Sequence, residues 1–280
     1  MPPALLTAGE LMLIAGLAGL TLGSFVNLVI DRLPIMLERR WQHDAITMTG
    51  GSPPEAARLD LVAPASHCMS CGTRLGLLEL IPLASWMVQR GRCRHCGNAI
   101  GRRTPLVEGG LALLFVLAAW HFGPGMPLLA AMGLLGWLMA AAVIDLETRL
   151  LPDALTLSLL WLGLLVNLHG VFTSIDVAVL GAAFGYTSLW GINALFRLAT
   201  GREGMGYGDF KLFAALGAWL GWYALPAILI LASACGALFG VLALMADRSR
   251  KDQPIAFGPW LALAALPILF DLLPGGKMPF

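Results

Sequence analysis

Hydrophobic and polar positions along this chain fall in long blocks rather than alternating residue by residue. An apolar run over 11–30 closes on Asp31-Arg32-Leu33-Pro34, and at ~1.5 Å per residue such a helix crosses a hydrocarbon core of ~30 Å. Seven further apolar runs follow, at 105–121, 126–144, 154–168, 175–198, 209–222, 225–245 and 254–273. Between the first run and the rest lies a polar stretch, 31–104, interrupted only by the apolar piece 75–88. That piece contains Pro82 and is too short to span, so it reads as domain core or as an interfacial helix. The pattern predicts an all-α polytopic membrane protein of about eight transmembrane helices, with one small polar domain inserted after the first.

Composition agrees. The chain is 58% hydrophobic and 12% charged, with mean hydropathy +0.78, which is too apolar for a soluble globule. Its net charge of +1 says little, and no long basic run with interleaved aromatics suggests nucleic acid. Met1 to Glu10 carries no Lys or Arg and no small-residue cleavage site follows, so the first helix is expected to be retained rather than removed as a signal peptide. The placement of charge is more informative. With the N-terminus outside, the inward connections 31–104, 145–153, 199–208 and 246–253 and the adjoining helix ends carry seventeen of the eighteen Lys and Arg, and only Lys277 falls elsewhere. The outward turns near Gly123, Gly170 and Tyr223 carry none. The positive-inside rule then puts the polar domain on the cytoplasmic side, and Trp120, Trp219 and Trp222 at the outer interface as membrane anchors.

Two carboxylates stand out against this background. Asp145 closes the apolar stretch from Gly133 to Ile144, and Asp209 opens another after the stretch Gly204-Met205-Gly206-Tyr207-Gly208. Threading places both at the cytoplasmic face. An acid at the edge of hydrocarbon is costly and is a functional candidate by default. The alternate glycines Gly204, Gly206 and Gly208 are expected to permit positive φ and close backbone approach. The bland alternative is an interhelical turn whose Asp caps the next helix.

The polar domain carries Cys68-Met69-Ser70-Cys71 and Cys93-Arg94-His95-Cys96. Two CxxC turns can deliver four thiolates to one tetrahedral zinc, a closed and therefore structural site. Two disulfides are the alternative, disfavoured in a reducing cytoplasm. His67 and His95 adjoin the cysteines and could replace a thiolate. Cys235, inside an apolar run, reads as a small buried hydrophobe.

Taken in order, these motifs resemble those of the type IV prepilin peptidases, the leader peptidase/N-methyltransferases of type IV pilus and type II secretion systems, a group of GxGD-type membrane aspartic proteases. The resemblance rests on Gly23-Ser24-Phe25-Val26-Asn27 leading to Arg32-Leu33-Pro34, and on the two CxxC pairs with Ile81-Pro82-Leu83 between them. It continues in Pro105-Leu106-Val107-Glu108, Asp145 with Leu151-Pro152-Asp153, Gly206-Tyr207-Gly208-Asp209-Phe210-Lys211 and Phe257-Gly258-Pro259. Thr104 and Leu80 depart from the usual pattern, both in the domain associated with methylation. The resemblance implies a bacterial inner-membrane enzyme in three parts: a first helix at 1–30, a cytoplasmic zinc domain at 31–104 and a membrane-embedded protease at 105–280. It implies Asp145 and Asp209 as catalytic dyad. The substrate class is prepilins or pseudopilins, whose short basic leader is cut after glycine, and S-adenosylmethionine is the methyl donor.

Two neighbouring carboxylates hydrolyse a peptide bond by sharing a proton. Asp145 ends a helix and Asp209 begins one, so the helix dipoles predict Asp145 as the proton holder and Asp209 as the base. Asp153, after Pro152, is expected to cap the next helix. Lys211 either holds lipid phosphate or tunes Asp209. Glu108 either snorkels to the interface or binds the substrate amine or methyl donor. Gly91 and Arg92 are the other candidates for the methyl donor, with a turn before the metal knuckle as the plain reading of Gly91.

Overall fold

A computed structural model describes residues 7–52, 58–246 and 256–272, so Lys277 and most of the inward connection expected at 246–253 lie outside the described residues. Among the described residues the chain is helical, with two isolated bridges and no strand. It forms two compact units that meet in sequence at Gly123 and Pro124.

The first unit is built on two antiparallel helices, α1 (Ala8–Met48) and α3 (Arg103–Phe122). Glycines let them approach closely: a Cβ on Gly16 would touch Val116, one on Gly19 would lie 2.5 Å from the Ala112 Cα, and one on Gly23 would lie 2.7 Å from the Glu108 Cα. Without a side chain in the seam, backbone packs on backbone, as membrane helices favour. The register continues into polar pairs, with Asn27 Nδ2 donating to the Thr104 carbonyl at 3.1 Å and Arg103 pairing with Asp31 at 2.6 Å. The first helix was expected to end near residue 30, yet α1 continues through Pro34 to Met48. Good helix formers such as Leu37, Glu38, Arg39 and Arg40 follow the proline, and buried Arg32 ties the turn before it to the carbonyls of Asp60 and Pro64. Between the two helices lie the cysteine knuckles, a 3-10 turn over Leu77–Leu80 and the short helix α2 (Ala84–Val88).

The second unit holds α4 (Met126–Thr148), α5 (Asp153–Asn167), α6 (Ile175–Thr200), α7 (Tyr207–Leu220), α8 (Leu225–Ala246) and α9 (Gly258–Leu269). Here α7 is the core, with eleven buried residues. Gly181 and Gly185 of α6 lie directly on Gly217 and Ala214 of α7, again with no room for a side chain. Asn167, at the end of α5, gives both amide hydrogens to the carbonyls of Ala218 and Trp219 and accepts from the N–H groups of Phe172 and Thr173. All its polar valences are met, which is what a buried amide requires.

Each of the eight apolar runs contains a helix, but their lengths differ. Among the described residues five helices are long and apolar enough to cross a membrane: α1, α3, α4, α6 and the stretch Trp222–Ala246 containing α8. α5 and α9 are shorter apolar helices, and α7 has 14 residues, about 21 Å at ~1.5 Å per residue and so short of a ~30 Å core. The expectation for Trp219 is corrected. It is 2% exposed, its Nε1 donates to the Leu159 carbonyl at 2.8 Å, and its ring covers Gly163. A tryptophan on the inner face of α7 fills the core, whereas Trp120, 71% exposed, has the exposure an anchor needs.

Candidate active site and metal centre

The candidate acids lie at helix ends within the second unit. α4 stops because Arg149 takes the left-handed conformation (φ 56°) and its N–H closes on the Asp145 carbonyl. The chain then turns through Leu151 and Pro152 into α5. Leu151 is the bed of the site: a Cβ on Gly208 would lie 2.6 Å from its Cβ, and one on Gly258 would lie 3.1 Å from its Cδ1. The N-terminal turns of α7 and α9 are thereby brought to the C-terminal turn of α4.

Both acids are buried, Asp145 at 5% and Asp209 at 9% exposure, at helix ends that converge on Leu151. The Gly258 N–H, at the start of α9, donates to Asp145 Oδ2 at 2.9 Å. Asp209 Oδ1 is buried without a hydrogen-bond partner. One acid is therefore fixed by a backbone amide and the other keeps an oxygen unclaimed, which suits a pair that must share a proton and hold a water. The helix-dipole assignment of the proton to Asp145 considered α4 alone. The α9 amide is a second influence on that carboxylate, with opposite sign.

Of the two properties expected of the glycine stretch, the structure shows close approach at Gly204 and Gly208 but no positive φ at Gly204, Gly206 or Gly208. Gly206 has φ −74°, and among the described glycines of this loop only Gly201 has positive φ. Gly208 is needed for its contact with Leu151, and Gly204 because Phe196 lies against it, while Gly206 has ordinary room beside Asp209 Oδ2. A residue the sequence reading did not single out holds the loop: Asn193 Oδ1 accepts the N–H groups of Gly204 and Met205 at 3.0 and 3.2 Å. A lone amide inside the apolar run 175–198 was the available signal.

Asp153 does not cap α5 with its side chain. Pro152 is the N-cap, and the Asp153 carboxylate pairs with Lys211 Nζ at 2.6 Å. Lys211 is thereby engaged within the protein, joining the first turns of α5 and α7.

In the first unit the four thiol sulfurs of Cys68, Cys71, Cys93 and Cys96 all lie within 4.8 Å of one another. The two knuckles repeat one design. The N–H of Gly72 bonds the Cys68 carbonyl as that of Gly97 bonds the Cys93 carbonyl, both glycines at φ +70°. N–H groups of Cys71 and Ser70 hold the Cys68 thiol below its ordinary pKa, and those of Cys96 and His95 do the same for Cys93. Such donors favour thiolate, the form a metal binds. The donor set fits a four-coordinate thiolate centre. His67 Nδ1 lies against the Ala65 carbonyl and His95 Nε2 against Glu79, so the four thiols suffice without either.

The three residues considered for a methyl donor have other employment. Gly91, at φ +67°, turns under the Trp86 indole, and Arg92 forms a bridge with Ala99. Glu108 Oε2 accepts the Leu83 N–H at 2.8 Å. All three are thus engaged by contacts within the first unit.

Two family models match the chain, the bacterial peptidase A24 N-terminal domain over residues 17–122 and the type IV leader peptidase family over 132–241. A prepilin leader peptidase/N-methyltransferase of Pseudomonas putida is 48% identical, covering 90% of this chain and 87% of its own. Proteins of the same description from Pseudomonas aeruginosa and Aeromonas salmonicida are each 50% identical over 89% of this chain and 86% of theirs. No solved structure matches. With identity at this level along nearly its whole length, the chain belongs to the type IV leader peptidase family, among its prepilin leader peptidase/N-methyltransferase members.

Proposed function

We propose that the chain is a bifunctional prepilin leader peptidase. It cuts the short basic leader from type IV prepilins or type II secretion pseudopilins after a glycine, then methylates the exposed amine. The observation that supports the peptidase reading is the convergence on Leu151 of the helix ends bearing Asp145 and Asp209, with Asp145 held by the Gly258 amide and Asp209 Oδ1 buried without a partner. In this reading the ionised acid takes a proton from water as its oxygen attacks the scissile carbonyl carbon, and the neutral acid protonates the carbonyl oxygen. Collapse breaks the C–N bond, and the amine leaves with a proton returned from the pair. Gly208 lets the turn carrying Asp209 pack on Leu151, Gly206 precedes it with room to spare, and Lys211, tied to Asp153, steadies the turn that follows.

We assign zinc to Cys68, Cys71, Cys93 and Cys96 as a structural ion, because four thiolates leave no open position. S-adenosylmethionine would supply the methyl group to the new N-terminal amine, with S-adenosylhomocysteine and a proton leaving. We place the metal domain and both acids on the cytoplasmic side of a bacterial inner membrane, a reading supported by the Lys and Arg concentrated in the connections 31–104, 145–153 and 199–208.

The test is incubation of the purified protein with a leader-bearing precursor, with and without S-adenosylmethionine, read by intact mass. The expected products are the shortened chain alone and, with the donor, the same chain one methyl heavier. Asp145→Asn and Asp209→Asn should each slow cleavage roughly a thousandfold or more with metal content unchanged. Substantial cleavage by either variant overturns the dyad, and an unmethylated product in both arms leaves a peptidase alone.

A further inference from the structure

The apolar piece 75–88 could be domain core or interfacial, and its exposure distinguishes the two. Leu77 is 87% exposed, Leu78 73%, Met87 63% and Val88 75%, with Leu80 and Ile81 also exposed. A small polar domain that leaves so many neighbouring apolar side chains uncovered has not used them as its core.

Two contacts fix where this segment stands. The Leu83 N–H donates to Glu108 Oε2 at 2.8 Å, and the Leu83 methyl groups lie 3.8 and 3.9 Å from where a Cβ on Gly109 would be. Glu108 and Gly109 belong to the second turn of α3, about 8 Å along the axis from Arg103 at ~1.5 Å per residue. α3 is one of the helices long and apolar enough to cross a membrane, and Leu106 in its first turn is 71% exposed. A bilayer that covers the apolar surface of α3 therefore also reaches segment 77–88. Glu108 is 4% exposed and Leu83 has φ 55°, unusual for a branched residue, so the attachment is built rather than incidental. Arg90, Arg92, Arg94 and Arg102 follow as exposed cations, complementary to anionic head groups.

We propose that segment 77–88 is a membrane-embedded edge of the inserted domain, its apolar side chains lying in the interfacial layer of an anionic bilayer and its depth set by the Glu108 contact with Leu83. The proposal does not depend on the peptidase reading.

It is tested on the full chain by placing the photoreactive residue p-benzoylphenylalanine singly at Leu78, at Met87 and, as control, at Met69, which is 80% exposed between Cys68 and Ser70. Each protein is reconstituted into vesicles of phosphatidylethanolamine and phosphatidylglycerol, irradiated, and read by intact mass. Lipid adducts at positions 78 and 87 at least about fivefold above those at 69 are expected. Yields no higher than at 69 overturn the proposal. So does crosslinking chiefly to a second copy of the chain, or to an added precursor, since either would make this edge a protein interface.

Discussion

Gly258 acts through its backbone, so its side-chain hydrogen is as much part of the site as its N–H. A methyl there would stand 2.8 Å from Asp145 Oδ2 and 3.1 Å from the Leu151 Cδ1, and one of these must move. Gly258→Ala is expected to lower kcat about a hundredfold, the scale of a 1 Å misplacement of a reacting group, with little change in KM. Gly206→Ala, whose methyl would meet Asp209 Oδ2 at an ordinary 3.6 Å, should stay within about threefold of wild type. Precursor-cleavage kinetics of the two variants check this, and equal effects would remove the steric argument. The acids and cysteines were legible in the sequence because an ionisable or soft side chain in an apolar background is conspicuous. The Gly258 amide was not, because a backbone donor has no letter of its own. Of the two properties expected of the glycines before Asp209, close approach explains Gly204 and Gly208 and positive φ explains none of the three.

The seam of α6 and α7 places the elements that carry this loop. Gly217 has Gly181 against it with no space for a methyl, whereas a Cβ on Gly133 of α4 would meet nothing within 4 Å. Gly217→Ala is therefore expected to cost about 1–3 kcal/mol by overpacking, several degrees in the apparent Tm of the detergent-solubilised protein, and Gly133→Ala close to nothing. A melt in which both variants match wild type would contradict the packing. Apolar runs revealed where the helices are, since hydrophobic length is what a membrane selects. Their faces were less readable. Trp219 had the residue type and place of an interfacial anchor, but its side of α7 turns toward Gly163, a contact no local pattern encodes. The extension of α1 to Met48 was hidden because the first helix was bounded by the end of its apolar run, and the residues beyond it include polar helix formers.

The whole chain divides into two compact units, and the cysteine cluster lies wholly in the first. Composition had marked 31–104 as separate, but the unit continues to Gly123 because α3 packs on α1 through the glycines of the first apolar run, a pairing visible only once the helices are placed. The knuckles have little apolar interior of their own: Cys93 is buried, while Cys71 and Cys96 are exposed and Met69 is 80% exposed. On the zinc proposal a bound ion would supply what a core otherwise does, since structural zinc in small thiolate sites contributes roughly 10–16 kcal/mol of apparent binding free energy at pH 7. Stripping the metal with a chelator should therefore raise amide exchange across 65–101, where the bonds from Gly72 to Cys68 and from Gly97 to Cys93 depend on it. Residues 124–246, whose order rests on α7 and its glycine contacts, should exchange as before. Hydrogen-exchange mass spectrometry on the same sample reads both regions at once. Simultaneous loss of protection in α7 would mean that the ion supports the whole molecule, and unchanged exchange at the knuckles would mean that the thiols fold without it.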